Sequence, residues 1–429
     1  MKHTVTEVEL KNGSKGILID IPGATVMSFQ FQFRAGNRYV KNNDIYETAH
    51  LMEHMAFGAN AQFSSEHAYE SEFTKNGAYH NAFTSDLSMV YVADCADFEW
   101  DRILELQRVA ICQPKFSNVE LEAEKGNVRS ELTGYLNNHN RLLWPKVQQL
   151  LGEDVLNYRQ RLLTIPTVAL RDIREHHTRT HTTDNMRFVI AGKLQGRKTK
   201  ILENLEAWEL SRGERFTVPR DELKKSNPHL IKRKEATNMT FALSMTVPRE
   251  LSDEEAEAMG CLDQILTGTL HSRIYGAARK KGLAYSVFSD TSVGFYDSSW
   301  DFGGAVNLDK ADDLVAIIIR EIRAVLGGKI TEAELEAAKS YALGRHQMGA
   351  QTVSQVSNFY SNRYFGDGVV KDYEKVPDAI RRITLERINK TASEFVQNET
   401  WVLAGVSSGD KDEFIALSDK LEKLFPKGE

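Results

Sequence analysis

The residues with the most chemistry in this chain are His50, Glu53 and His54, in the run His50-Leu-Met-Glu53-His54. Two imidazoles four residues apart on a helix lie on one face, one turn above the other, and both can reach a single cation. Glu53, three residues from His50, points to the same side. This H-x-x-E-H order suits a zinc ion that acidifies a water beside a carboxylate base. A catalytic zinc usually takes three protein ligands and keeps one position open. A later acidic stretch offers Glu120, Glu122, Glu124 and Glu131. Glu124 and Glu131 are seven apart and share a helix face, so one can ligate while the other supports the site. A solvated face is the ordinary meaning of such a charge run, and spacing alone does not choose the ligand.

These side chains need elements to hold them. Hydrophobic periodicity predicts a helix over 45–57, closed by Gly58, and a long charged helix over 118–136. Strands are expected over 4–10, 15–19 and 25–35, parted by Asn12-Gly13 and Pro22-Gly23, with Val26, Phe29, Phe31 and Phe33 on one face of the third. Further strands fall within 80–94 and 185–191, and further helices at 63–76, 97–112 and 200–210. The second half reads as strands at 239–247, 284–306 and 400–404 and helices at 252–270, 311–326, 331–347 and 384–395.

The two halves resemble each other. Val119–Lys125 (VELEAEK) aligns with Ala333–Lys339 (AELEAAK) at an offset of 214, and Ala191-Gly192 aligns with Ala404-Gly405 at 213. Two anchors at nearly one offset indicate a duplicated α+β domain. The expected organisation is an N-terminal metal-binding domain over 1–212, a polar linker over 213–228 and a homologous domain over 229–429. Each should be a mainly antiparallel sheet packed with helices. Glu131 corresponds to Arg345 and Glu124 to Ala338, and the region near 260–268 has no histidine. Only the first half can hold this metal, which leaves the second a substrate-binding or structural role.

The chain has 429 residues, 41% of them hydrophobic, a formal net charge of -6 and three cysteines. That is enough apolar content for sizeable cores. The acidic balance argues against a nucleic-acid partner, and no apolar run reaches the length of a membrane span. The sequence start shows no secretory h-region. Cys95, Cys112 and Cys261 have neither disulfide-framework nor zinc-ribbon spacing, so a reducing cytoplasm is the expected setting. His176, His177 and His181 cluster near a helix end, where imidazoles meet terminal carbonyls, and no second metal site is expected there.

The chain resembles the M16 family of inverted zincins, to which insulin-degrading enzyme, pitrilysin and the mitochondrial processing peptidases belong, and is most similar to its half-length, two-domain members. The stretches that carry the resemblance are HLMEHMAFG (50–58), NAFTSDLSMVYVAD (81–94), the acidic helix through Glu131, DNMRFVIAG (184–192), SRIYGAARKKGLAYSV (272–287) and WVLAG (401–405). The resemblance implies zinc ligation by His50, His54 and Glu131, Glu53 as general base, and Glu124 as a carboxylate beside the site. It places Asn81 and Ala82 on the edge strand where a peptide lies. It gives Arg279 and Tyr285 to the substrate carbonyl, with one departure: the stretch between them is a residue shorter than usual, so Arg279 could be displaced, with Arg273 a weaker substitute.

The implied activity is hydrolysis of short or unfolded peptides, with the substrate backbone paired to the strand edge near 81–85. Phe57 and Phe83 are candidate pocket residues, with core packing the expected fate of at least one. One zinc per chain is the expected cofactor. Two-domain chains of this kind pair around a closed chamber, so a homodimer is the first expectation and a heterodimer with a ligand-less sister subunit the second. The competing functional classes are a non-catalytic scaffold or partner subunit and a dedicated precursor-maturation protease.

Overall fold

In the computed structural model, which describes residues 1–398 and 400–425, the chain is a set of helices and two mixed sheets. The end of the expected second domain, 426–429, and residue 399 lie outside the described residues. The first sheet contains β1 (Thr4–Glu9), β2 (Lys15–Asp20), β3 (Val26–Phe33), β4 (Tyr79–Thr84), β5 (Met89–Ala96) and β6 (Arg187–Gly192), in the order β1-β2-β6-β3-β5-β4. The second contains β7 (His229–Lys232), β8 (Asn238–Val247), β9 (Ala284–Val293), β10 (Ser298–Asn307) and β11 (Trp401–Ser407), in the order β7-β11-β8-β10-β9. In each sheet one pair is parallel, β2 with β6 and β7 with β11, and the remaining pairs are antiparallel. The orders coincide if β2, β6, β3, β5 and β4 are matched with β7, β11, β8, β10 and β9. The α+β duplication read from two sequence anchors is thus repeated strand by strand.

The expected turns are where glycine is needed: Gly13 and Gly23 take φ of 97° and 83°, a region that costs most residues a Cβ clash. Helices span Thr48–Ala56, Glu66–Thr74, Trp100–Cys112 and Asn118–Tyr135 in the first half. The helices Arg273–Lys280, Val353–Asp367 and Lys411–Glu422 and the short β7 were not anticipated. No described helix is long and apolar enough to cross a membrane.

The compact units do not follow the two halves. One consists of Met1–Gly134, Tyr158–Pro219 and Met348–Lys371; the other of Tyr135–Asn157, Arg220–Gln347 and Asp372–Glu429. The expected boundary near 212–229 is therefore crossed twice, by 135–157 and 348–371, which lie one repeat apart. The linker has no regular element, yet it is pinned. Arg215 donates to Gln32 Oε1 and the Phe365 carbonyl in the first unit, at 3.0 and 2.9 Å, and Lys224 N–H donates to the Leu151 carbonyl in the second, at 2.8 Å.

The borrowed segments explain a burial pattern that strand alternation does not. In β3, Phe29, Phe31 and Phe33 are buried as expected, but so are Gln30 and Gln32. Helix Val353–Asp367 covers that second face, and Gln30 Nε2 donates to Ser357 Oγ (3.0 Å) and Asn358 Oδ1 (2.7 Å). A buried amide is tolerated because it is hydrogen-bonded. In the second unit, Leu142, Leu143, Val147 and Leu151 of helix His139–Leu151 pack on Ala242, Val402, Ala404 and Val406.

Candidate metal centre

His50, Glu53 and His54 all sit on helix Thr48–Ala56, which packs against β4. Glu124 and Glu131 sit on helix Asn118–Tyr135. The two imidazole rings are 4.9 Å apart, nearly perpendicular at 83°. His50 Nε2 and His54 Nε2 lie 3.5 and 3.4 Å from the same atom, Glu131 Oε2. Ligand atoms of His50, His54 and Glu131 all fall within 4.8 Å of one another, the one such group of three or more among the described residues. Of the four glutamates the sequence left open, Glu131 is the one that faces both imidazoles.

The other ring nitrogens are committed. His50 Nδ1 meets Glu47 Oε2 at 2.9 Å, and His54 Nδ1 meets Glu124 Oε2 at 2.8 Å. An ionised carboxylate can only accept, so each Nδ1 carries the hydrogen and each Nε2 presents its lone pair when the ring is neutral. Carboxylates that orient ligating histidines in this way are the usual outer layer of a metal site. The donor set, two imidazole nitrogens and one carboxylate oxygen, is the chemistry a zinc ion takes.

Electrostatics follow from this packing. Burial on its own would lower both imidazoles; hydrogen bonds outweigh it. Glu131 and Glu47 raise His50 above its ordinary value, and Glu124 and Glu131 raise His54 to about 10. Glu124 is held low, chiefly by its bond to His54. Glu53 goes the other way: burial raises its carboxyl, with Glu131 adding to the effect, against the pull of both imidazoles.

The remaining expected residues divide. β4 is an edge strand. Ala82 is buried, Asn81 is exposed with its Oδ1 accepting from Ala82 N–H, and Phe83 is half exposed. Phe57 is the one of the two that packs, in an aromatic cluster with Tyr69, His80 and Tyr91 at ring separations of 6.1, 4.5 and 6.1 Å. In the second unit, Arg279 lies over the Tyr285 ring, its guanidinium carbon 4.8 Å from the centroid. The shorter spacing therefore leaves the two side chains together. Arg273 is engaged elsewhere, in ion pairs with Glu334 and Glu321. Tyr285, on the edge strand β9, is 80% exposed.

Sequence reading missed Glu47 and Arg161. Arg161 holds both oxygens of Glu47. The signal for Glu47 was its place three residues before His50; Arg161 had none, since its proximity is tertiary. The ring nitrogens of His176, His177 and His181 bond the Ala35 carbonyl, the Ile111 carbonyl and Tyr91 Oη at 2.9, 2.9 and 2.8 Å, a packing role.

Comparison with known proteins bears on the family and the fold. The profile described as insulinase, peptidase family M16, matches residues 17–154, and the one described as the peptidase M16 inactive domain matches 167–341. The beta subunit of mitochondrial-processing peptidase from Neurospora crassa is 22% identical over 97% of this chain and 88% of its own; that from Saccharomyces cerevisiae is 22% identical over 91% and 88%. Among solved structures, a protease from Helicobacter pylori matches with a TM-score of 0.81 at 17% identity, covering 95% of this chain and 100% of its own. A peptidase M16 inactive domain from Pseudomonas fluorescens matches at 0.80 and 16%, covering 95% and 98%. At such identities the structures speak for the fold. With family profiles matching both halves in order, the chain belongs to the M16 peptidase family.

Proposed function

We propose that the chain is a zinc-dependent endopeptidase acting on short or unfolded peptides. One observation carries the reading. Both Nδ1 atoms are tied to carboxylates, so the two Nε2 atoms and Glu131 Oε2 converge, with the raised carboxyl of Glu53 on the same helix.

His50, His54 and Glu131 would hold the ion. When bound, zinc supplies Lewis acidity and brings the pKa of water towards about 7. Glu53 takes the proton from the attacking water and returns it to the leaving amine. The Tyr285 hydroxyl donates to the oxyanion of the tetrahedral intermediate, and Arg279, stacked on the same ring, adds positive charge. The peptide backbone pairs with the β4 edge at 81–83, a mode that reads main chain more than side chain and so favours loose specificity. The first assembly to test is a homodimer enclosing a chamber, in the cytoplasm. The relatives named as beta subunits favour a second arrangement, a heterodimer with a sister subunit.

The test is digestion of a peptide library by wild type, with and without chelator, beside Glu53→Gln. Cleavage should require metal. Glu53→Gln should keep its zinc and lose turnover by roughly 10²–10⁴-fold, the typical worth of a positioned base. Unchanged turnover in a zinc-loaded Glu53→Gln protein would remove the base assignment. Wild type without stoichiometric zinc or cleavage would leave a scaffold role.

A further inference from the structure

We infer that Glu47 and Arg161 are positioning residues that clamp the His50 imidazole and set how tightly the site holds its metal, an assignment that rests on the zinc reading above. Glu47 is the residue before helix Thr48–Ala56, and none of its surface reaches solvent. A lone carboxylate in such a place would be costly, because burying an unpaired charge forfeits its hydration. Here every part of it is answered. Its Oε2 accepts from His50 Nδ1 at 2.9 Å and from Arg161 Nη2 at 3.0 Å, and its Oε1 accepts from Arg161 Nε. Its backbone N–H donates to Thr164 Oγ1 at 3.3 Å. Arg161 and Thr164 lie on helix Tyr158–Thr164, so one short helix holds both ends of the residue. The guanidinium is flanked by the Tyr46 and Tyr158 rings, at 5.9 and 5.3 Å.

The two imidazoles are thus held differently. His54 is oriented by Glu124, a partly exposed residue of the helix that also carries Glu131, and Glu124 is steadied by Asn127 Nδ2 at 3.1 Å. His50 is oriented by a carboxylate with no exposed surface, itself gripped by the half-buried Arg161 of a separate helix. A forked guanidinium–carboxylate pair fixes direction as well as distance. With the fork in place, His50 has one tautomer and one ring plane, and its Nε2 faces Glu131. Loss of such an outer partner typically weakens metal binding by about 10–100-fold.

Two full-length variants test this against wild type, with zinc itself as the probe in chelator competition. Glu47→Asp keeps the charge facing Arg161 but draws the carboxylate back from His50. Glu47→Gln combined with Arg161→Met removes both charges of the pair, a replacement often neutral for folding, so it separates grip on metal from stability of the fold. The melting temperature of each metal-free variant is read alongside. The expected result is zinc dissociation weakened by about 10–100-fold in both, the metal-free double variant melting close to wild type, and turnover restored by excess zinc with KM for peptide unchanged. A folded double variant that binds zinc within about threefold of wild type overturns the clamp while leaving the metal site standing. Wild type that takes up no zinc overturns both.

Discussion

Tyr285→Phe separates catalysis from folding more sharply than any other substitution in the proposed machinery. The Tyr285 side chain is 80% exposed, and its hydroxyl makes no hydrogen bond among the described residues. The phenylalanine ring keeps the surface over which Arg279 lies at 4.8 Å, a contact worth roughly 0.5–1 kcal/mol at an exposed site. The fold should therefore change by less than about 0.5 kcal/mol. The proposed reaction loses a donor to the oxyanion, and removal of one such donor typically costs about 10²–10³ in kcat. Because the bond forms only as the carbonyl oxygen gains charge, the loss should appear in kcat with KM unchanged. The assay is steady-state hydrolysis of a quenched fluorogenic peptide by zinc-saturated protein, with a thermal melt of the same sample. Arg279→Ala run beside it removes the stacked charge and should cost less than the hydroxyl. A Tyr285→Phe protein with kcat within about threefold of wild type would refute the oxyanion role and return Tyr285 to the status of an exposed strand residue.

Other outcomes follow from the same geometry. Glu131→Gln should release zinc more readily than Glu124→Gln, since Glu131 faces both imidazoles while Glu124 acts through His54; metal analysis after dialysis checks this, and the reverse order would exchange their roles. In the second unit, burial pushes the Asp263 carboxyl up to about 7, although Trp300 Nε1 and Thr291 Oγ1 donate to it at 3.0 and 2.8 Å. Unfolded, this acid ionises near its ordinary value, so its contribution is complete below about pH 4 and is lost as pH rises towards 7. Three pK units set an upper limit of about 4 kcal/mol on that loss. Asp263→Asn should remove it, and since the window from pH 5 to the folded value spans about two pK units, denaturation at pH 5 and pH 8 should show wild type losing roughly 2–3 kcal/mol more than the variant. Parallel losses in the two proteins would contradict the burial argument.

The site was largely legible because its parts are local. His50, Glu53 and His54 lie within one helical turn, where spacing fixes geometry, and Glu131 was among four open choices on one helix. Spacing could not make that choice, and only the family resemblance named Glu131. The choice depends on which face of helix Asn118–Tyr135 meets helix Thr48–Ala56, a matter of packing between elements. Arg161 was invisible for the same reason. In the fold, strands with alternating or continuous apolar runs were readable. Helix Val353–Asp367 was not, since its buried face carries Ser357 and Tyr360 as well as Val356 and gives a weak periodic signal. The same helix explains the burial of Gln30, whose partners lie more than three hundred residues away. The division at 212–229 followed composition, whereas the compact units follow contacts that composition does not record.

The exchange of segments bears on how the protein is made. The first unit includes Met348–Lys371, so a nascent chain that has already displayed the whole H-x-x-E-H helix still lacks the helix that covers one face of its sheet. Until the ribosome has passed residue 371, Gln30 has no Ser357 or Asn358 to bond, and an unfinished sheet invites association. A stop codon after the first half would leave that condition permanent, so the two halves would have to meet as separate polypeptides before either could mature.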